Sequence, residues 1–95
     1  MPELTWAPEA IADVNDIFAF IAKDSVYYVE KTVASIIARA GLLIHHPLKG
    51  KRVRETEKDY YREIFERRYH IIYSTFHLPD IEILRVFHTA RLLKI

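Results

Sequence analysis

The sequence predicts an α+β fold: an N-terminal antiparallel helical hairpin packed on a mostly antiparallel sheet of four to five strands. Apolar residues recur at helical spacing through the first half and at strand spacing in three runs of the second, and a charged stretch holding a glycine separates the two patterns. The 95 residues, 51% of them hydrophobic and 28% charged, suit one domain over 1–95 and argue against disorder or a fibrous repeat. A chain this short buries only about two-thirds of its unfolded surface, so its core is either dense or completed by a partner.

The first helix follows a short extended start at Leu4, Thr5 and Trp6. Pro8 sits where a first helical turn tolerates proline, and Glu9 lies near the positive end of the dipole. Ile11, Val14, Ile17, Phe18 and Ile21 then form an amphipathic stripe through about Lys23, with Asp13, Asn15 and Asp16 mostly on the other side. Asp24 or Ser25 can cap a second helix, whose stripe runs Val29, Val33, Ile36, Ile37, Ala40, Leu43 and Ile44 before Pro47. So short a connection makes the pair an antiparallel hairpin.

The charged stretch 49–59 reads as a loop with one short strand around Val53. Three strand-like runs follow, Tyr60 to Phe65, Tyr69 to Phe76 and Ile81 to His88, with turn chemistry at 66–68 and at Leu78-Pro79-Asp80. They pair as an antiparallel meander, and 90–95 reads as a tail or one helical turn. Strict alternation puts Leu84 and Val86 on one face and Ile81, Ile83 and Phe87 on the other, while Ile71 and Tyr73 oppose Ile72 and Phe76. Both faces are then apolar, and one hairpin covers only one. The second face needs the tail, loops, another copy or another protein.

Charge and motifs narrow the function classes. Without cysteine there are no disulfides and no thiolate metal sites. No signal peptide or membrane-length apolar run appears, which points to a soluble cytoplasmic protein without membrane contact. The net charge of +1 is weak for a protein that lives on nucleic acid. Its distribution is uneven: residues 1–48 hold three basic and six acidic side chains, residues 49–95 eleven and seven. The C-terminal half is therefore the anion-facing half.

His45 and His46 are adjacent, diverge by about 100° on a helix and do not converge on one ion, and no His-x-x-x-His pair exists. No cofactor or metal is implied. The basic cluster Lys49, Lys51, Arg52, Arg54, Lys58, Arg62, Arg67 and Arg68 is interleaved with Glu55, Glu57, Asp59, Glu63 and Glu66, so its loop half reads as a solvated face. As a strand residue, Arg62 can hold a fixed guanidinium suited to a carboxylate or phosphate. The end of the last strand carries Arg85, His88 and Arg91, with His70 on the neighbouring strand. Histidine titrates near neutrality and arginine stabilises phosphoryl charge, so these four could form a metal-free ribonuclease centre. Equally, the arginines could pair with nearby acids while His88 closes the strand. The tyrosines and phenylalanines at strand spacing read as core or cross-strand pairs more readily than as base-stacking platforms.

The elements follow one another in a familiar order. Ala10-x-x-Asp13-x-x-x-Ile17-x-x-Phe20-Ile21 is followed by His46-Pro47-x-x-Gly50, Tyr61-Arg62-Glu63-Ile64, Tyr69-His70-Ile71-Ile72-Tyr73 and Ile83-Leu84-Arg85-Val86-Phe87-His88-x-x-Arg91. Over nearly the whole chain this series resembles the RelE/ParE toxin superfamily. The resemblance implies the hairpin-on-sheet fold and the role of toxin in a bacterial type II toxin–antitoxin pair. It also implies a cognate antitoxin as partner, with operator DNA reached only through that antitoxin.

The superfamily divides between members that cut mRNA on the ribosome and members that poison DNA gyrase. This sequence looks closer to the ParE branch. It lacks the lysines that RelE-like toxins carry on the strand at Tyr60 to Phe65, their arginine where His70 stands, and their C-terminal tyrosine. The expectation is a ParE-like gyrase inhibitor whose binding residues are Arg62, Arg85, His88 and Arg91, with plasmid stabilisation as its setting. The alternatives are a ribosome-dependent mRNA endonuclease that uses His70, Arg85, His88 and Arg91, and a non-toxic binding module of the same fold.

Overall fold

The structure, a computed structural model, describes residues 1–89. Its elements run β1 (Leu4–Trp6), α1 (Pro8–Ala22), α2 (Val26–Gly41), a 3-10 turn (Leu42–Ile44), β2 (Lys51–Arg52), β3 (Tyr61–Glu66), β4 (Tyr69–Ser74) and β5 (Ile81–His88). The expected C-terminal turn at 90–95 lies outside the described residues.

Pro8 is the first residue of α1, where its missing N–H costs no helical bond, and the Ala7 carbonyl accepts from the Ala10 and Ile11 N–H groups. Of the two candidate caps for α2, Ser25 is the one used: its Oγ accepts from Tyr28 N–H at 3.1 Å. The α-helix ends at Gly41, and Leu43 and Ile44 of the expected stripe belong to the 3-10 turn, which tightens the chain before Pro47.

The sheet order is β1-β5-β4-β3-β2. The β3, β4 and β5 strands form the expected antiparallel meander, and β2 adds an antiparallel edge by pairing Lys51 with Glu63 and Arg52 with Arg62. At the other edge β1 runs parallel to β5, with Leu4 opposite Ile81 and Trp6 opposite Ile83. The β3–β4 hairpin closes through Arg67 and Arg68, Arg67 taking the left-handed backbone with φ 56°.

Strict alternation fails on β5, because its register against β4 shifts: Ile72 faces Arg85 and Tyr73 faces Ile83, which leaves Leu84 as an extra residue. Beyond this bulge the parity inverts. Ile81, Ile83 and Val86 join one buried cluster, while Leu84 and Phe87 pack in the other, so the grouping of Leu84 with Val86 is corrected.

The larger cluster lies between hairpin and sheet and contains Ala10, Ile36, Ala40, Leu43, Ile64, Ile71, Tyr73 and the three β5 residues. The opposite face holds a smaller one of Val53, Ile72 and Phe87, with Tyr61 and Leu84 against it. The second face is therefore not bare. Val53, immediately after β2, is folded over it and is itself only 1% exposed.

Much of the exposed apolar surface lies instead on the helices, with Phe65 of β3 and Phe76 and Leu78 after β4 also partly outside. Ile11 is 50% exposed, Phe18 43% and Ile37 50%, although all three belong to the expected core stripes. Phe20, Val26, Tyr27 and Tyr28 extend this surface around the tip of the hairpin. A helix on a sheet buries only the arc that meets the strands, so an apolar face wider than that arc is left partly outside.

Candidate functional site

Arg62 and Tyr73 are cross-strand neighbours on β3 and β4, and both side chains serve the backbone that follows the 3-10 turn. The Tyr73 hydroxyl donates to the Pro47 carbonyl at 2.8 Å and accepts from the Gly50 N–H at 2.9 Å. Arg62 Nη1 donates to the Gly50 carbonyl at 2.7 Å and more weakly to that of Leu48 at 3.4 Å. The guanidinium expected to grip an external anion thus already grips two carbonyls of its own chain. Burial pushes the Tyr73 hydroxyl above the ordinary tyrosine value, while the Gly50 N–H and the Arg62 charge draw it partly back. Glycine is required at position 50 because a Cβ there would lie 2.6 Å from both the Glu63 carbonyl oxygen and the Tyr73 hydroxyl.

Arg85 is held from the helical side. Its Nε donates to Asp13 Oδ2 at 2.7 Å and its Nη2 to Asp13 Oδ1 at 3.0 Å, and the Val86 N–H donates to Asp13 Oδ2 at 2.9 Å. The hydrogen bonds to Asp13 raise the Arg85 pKa further, keeping the guanidinium charged. β1 pairs with β5 only as far as Ile83, so the Asp13 carboxylate takes over as acceptor on the edge that β1 leaves open. Asp13 is a site residue that its polar character assigned to the solvent side. Its spacing from Ala10 and Ile17, three and four residues away on the buried arc, is the signal that places it at the sheet margin.

His88 stands beside this clasp. It meets the Tyr69 ring edge-on at 5.4 Å and lines a cleft of about 290 Å³ together with Asp16, Ile17, Phe20 and Val86. His70 lies on the opposite face of the sheet. Its ring is stacked on Phe87 at 5.0 Å and tilted against Phe65 at 4.4 Å, and its buried Nδ1 is 3.5 Å from Glu63 Oε2 with no hydrogen-bond partner. His70 and His88 pair with successive β5 and β4 positions, Phe87 and Tyr69, so their side chains leave the sheet on different sides.

The fold brings Arg85 and His88 to one margin, sends His70 through to the other face, and commits Arg62 to the 47–50 segment. Arg91 lies outside the described residues. No signal in local spacing separates the two histidines, since the pairing register decides which face each one occupies. His45 and His46 are exposed at the end of the 3-10 turn. Among the described residues no group of three or more histidine, cysteine or carboxylate side chains is arranged to hold a metal ion, and no helix is long and apolar enough to cross a membrane. Among the aromatic residues of the three strand-like runs, Tyr60 meets Tyr61 edge-on at 4.7 Å and Phe76 edge-on at 4.8 Å, and Tyr73 is wholly buried.

Solved structures share this architecture. The chain is similar to a chain of a chromosomal ParDE toxin–antitoxin system from P. aeruginosa, with TM-score 0.74, 23% identity, and coverage of 93% of this chain and 96% of that one. It is also similar to a chain of the RelBE2 toxin–antitoxin complex from Mycobacterium tuberculosis, with TM-score 0.67, 22% identity, and coverage of 95% and 93%. No curated protein matches it. A family model described as the ParE toxin of the type II toxin–antitoxin system, parDE, matches residues 4–93, nearly the whole chain. The protein belongs to the ParE toxin family of type II toxin–antitoxin systems.

Proposed function

We propose that this ParE-type toxin inhibits DNA gyrase when free and is neutralised by a cognate antitoxin, in the cytoplasm of a bacterium and in a plasmid-stabilising setting. The observation that carries the reading is the family match over residues 4–93. A second polypeptide is also favoured by the exposed apolar surface at the hairpin tip, Phe20, Val26, Tyr27 and Tyr28, which a partner would remove from water.

The dispersal of the titratable groups favours a binding toxin over the mRNA endonuclease. Cleavage at a 2′-hydroxyl needs a base, an acid on the leaving oxygen and cations on the phosphate, all around one scissile bond. Here the two histidines leave the sheet on opposite sides, and two of the arginines are bonded to groups of their own chain. Arg85 keeps a half-exposed guanidinium bonded to Asp13, and Asp13 lines the same cleft as His88; that margin is our preferred contact with gyrase.

The purified protein should inhibit gyrase supercoiling and leave message intact in a translation-coupled assay, with inhibition relieved by the antitoxin. Ribosome-dependent cleavage that disappears in His88→Ala would replace this reading with the endonuclease. Neither activity, together with harmless expression, would leave a non-toxic binding module.

A further inference from the structure

Beyond Ile83, β1 no longer covers the edge of β5, and α1 faces that edge across the cleft of about 290 Å³. Asp13, Asp16, Ile17 and Phe20 line it from one arc of α1, at helical spacings of three and four residues. Tyr69, Val86 and His88 close it from the sheet. Its walls are apolar and aromatic: Ile17 is partly buried, the Phe20 ring is exposed, and Tyr69 meets His88 edge-on. Its carboxylates and carbonyl are acceptors. Asp13 is already bonded to Arg85 and the Val86 N–H, whereas Asp16 is exposed and forms no hydrogen bond or ion pair with a described residue. The Val86 N–H points out of the sheet toward Asp13, and a strand residue carries its C=O on the same side as its N–H, so the Val86 carbonyl faces this margin too.

A carboxylate without a partner selects a cation, and aromatic rings beside it favour one that carries a flat apolar body. An anion would be repelled by Asp16, and a neutral apolar molecule would strip water from the carboxylate without replacing it. The first 48 residues, with six acidic and three basic side chains, set a field of the same sign around the helices. We propose that this cleft is a binding site for a small arylalkyl amine in its ammonium form. The ammonium donates to the Asp16 carboxylate and the Val86 carbonyl, and the ring packs among Ile17, Phe20 and Tyr69. Asp13 stays bonded to Arg85 and shapes the cleft without gripping the ligand. Occupancy of the cleft does not depend on which target the toxin has, so binding is read without gyrase or antitoxin.

The probe is phenethylamine, titrated at neutral pH and low salt into the isotopically labelled full-length protein and followed by amide NMR shifts. It is compared with phenethyl alcohol, which keeps the shape without the charge, and with phenylacetate, which reverses the charge. The amine should bind about tenfold more tightly than the alcohol, and the preference should shrink as salt is raised. Its saturable shifts should centre on the amides of Ile17, Val86 and His88. Asp16→Asn should weaken binding of the amine about fivefold and leave that of the alcohol unchanged. Equal affinity for amine and alcohol, tighter binding of phenylacetate, no saturable binding, shifts centred elsewhere, or an Asp16→Asn variant that binds the amine as before would each overturn the proposal. The ligand comparison and the shift map use the unaltered protein, so they decide the matter even if the variant unfolds.

Discussion

Replacing Asp13 by alanine removes three acceptor contacts at once, two from Arg85 and one from the Val86 N–H. The two kinds of contact differ in worth. The Val86 N–H sits at a partly buried strand edge that β1 does not reach, and leaving it without an acceptor costs about 1–2 kcal/mol. The Arg85 side chain is 49% exposed against 14% for Asp13, so solvent screening holds the ion pair to about 0.5–1 kcal/mol despite its bidentate geometry. Asp13→Ala should therefore destabilise the fold by about 1.5–3 kcal/mol, and Arg85→Ala by about 1 kcal/mol or less. In the double-mutant cycle the coupling should equal only the screened ion pair, about 0.5–1 kcal/mol. Urea unfolding followed by Trp6, the single tryptophan, which packs against the core, measures all three variants. An Arg85→Ala cost equal to or above that of Asp13→Ala would refute the claim that the carboxylate's main duty is to close the β5 edge.

Gly50→Ala should cost about 2–3 kcal/mol in the same assay, because the new methyl group meets the backbone oxygen of Glu63, which cannot step aside as a side chain could. Tyr73→Phe should cost about 1–3 kcal/mol at neutral pH by stranding the Gly50 N–H and the Pro47 carbonyl. It should also flatten the alkaline limb of the stability curve. The folded Tyr73 pKa is raised, so its contribution is complete below the unfolded tyrosine value of about 10 and falls as pH climbs past it, where the unfolded chain releases the proton first. Thr32→Val should stabilise the protein by about 1 kcal/mol in thermal or urea unfolding, since the Thr32 Oγ1 is buried without a partner and valine keeps the β-branched shape.

Much of the element list was legible in the sequence because it depends on neighbours along the chain. Pro8 opens a helix wherever that helix packs, Ser25 caps the next one through a bond to Tyr28 three residues on, and Ile81 to His88 is bounded by its own turn chemistry. Face assignments were less legible. Periodicity reports that Ile11, Phe18 and Ile37 lie on apolar stripes, but not how much of each stripe the sheet can cover.

The site divides in the same way. By itself the sequence determined the residue types, the family likeness and the concentration of positive charge after Lys49, all properties of composition and order. Only the tertiary structure decided that Leu84 bulges and inverts the parity beyond it, that Asp13 reaches Arg85 across 72 positions, and that His70 and His88 part to opposite faces. Each of these depends on strand register and on helix-to-sheet packing. Both are collective outcomes of burying one contiguous core, and a one-residue shift in pairing exchanges the two faces of a strand without altering a single local preference.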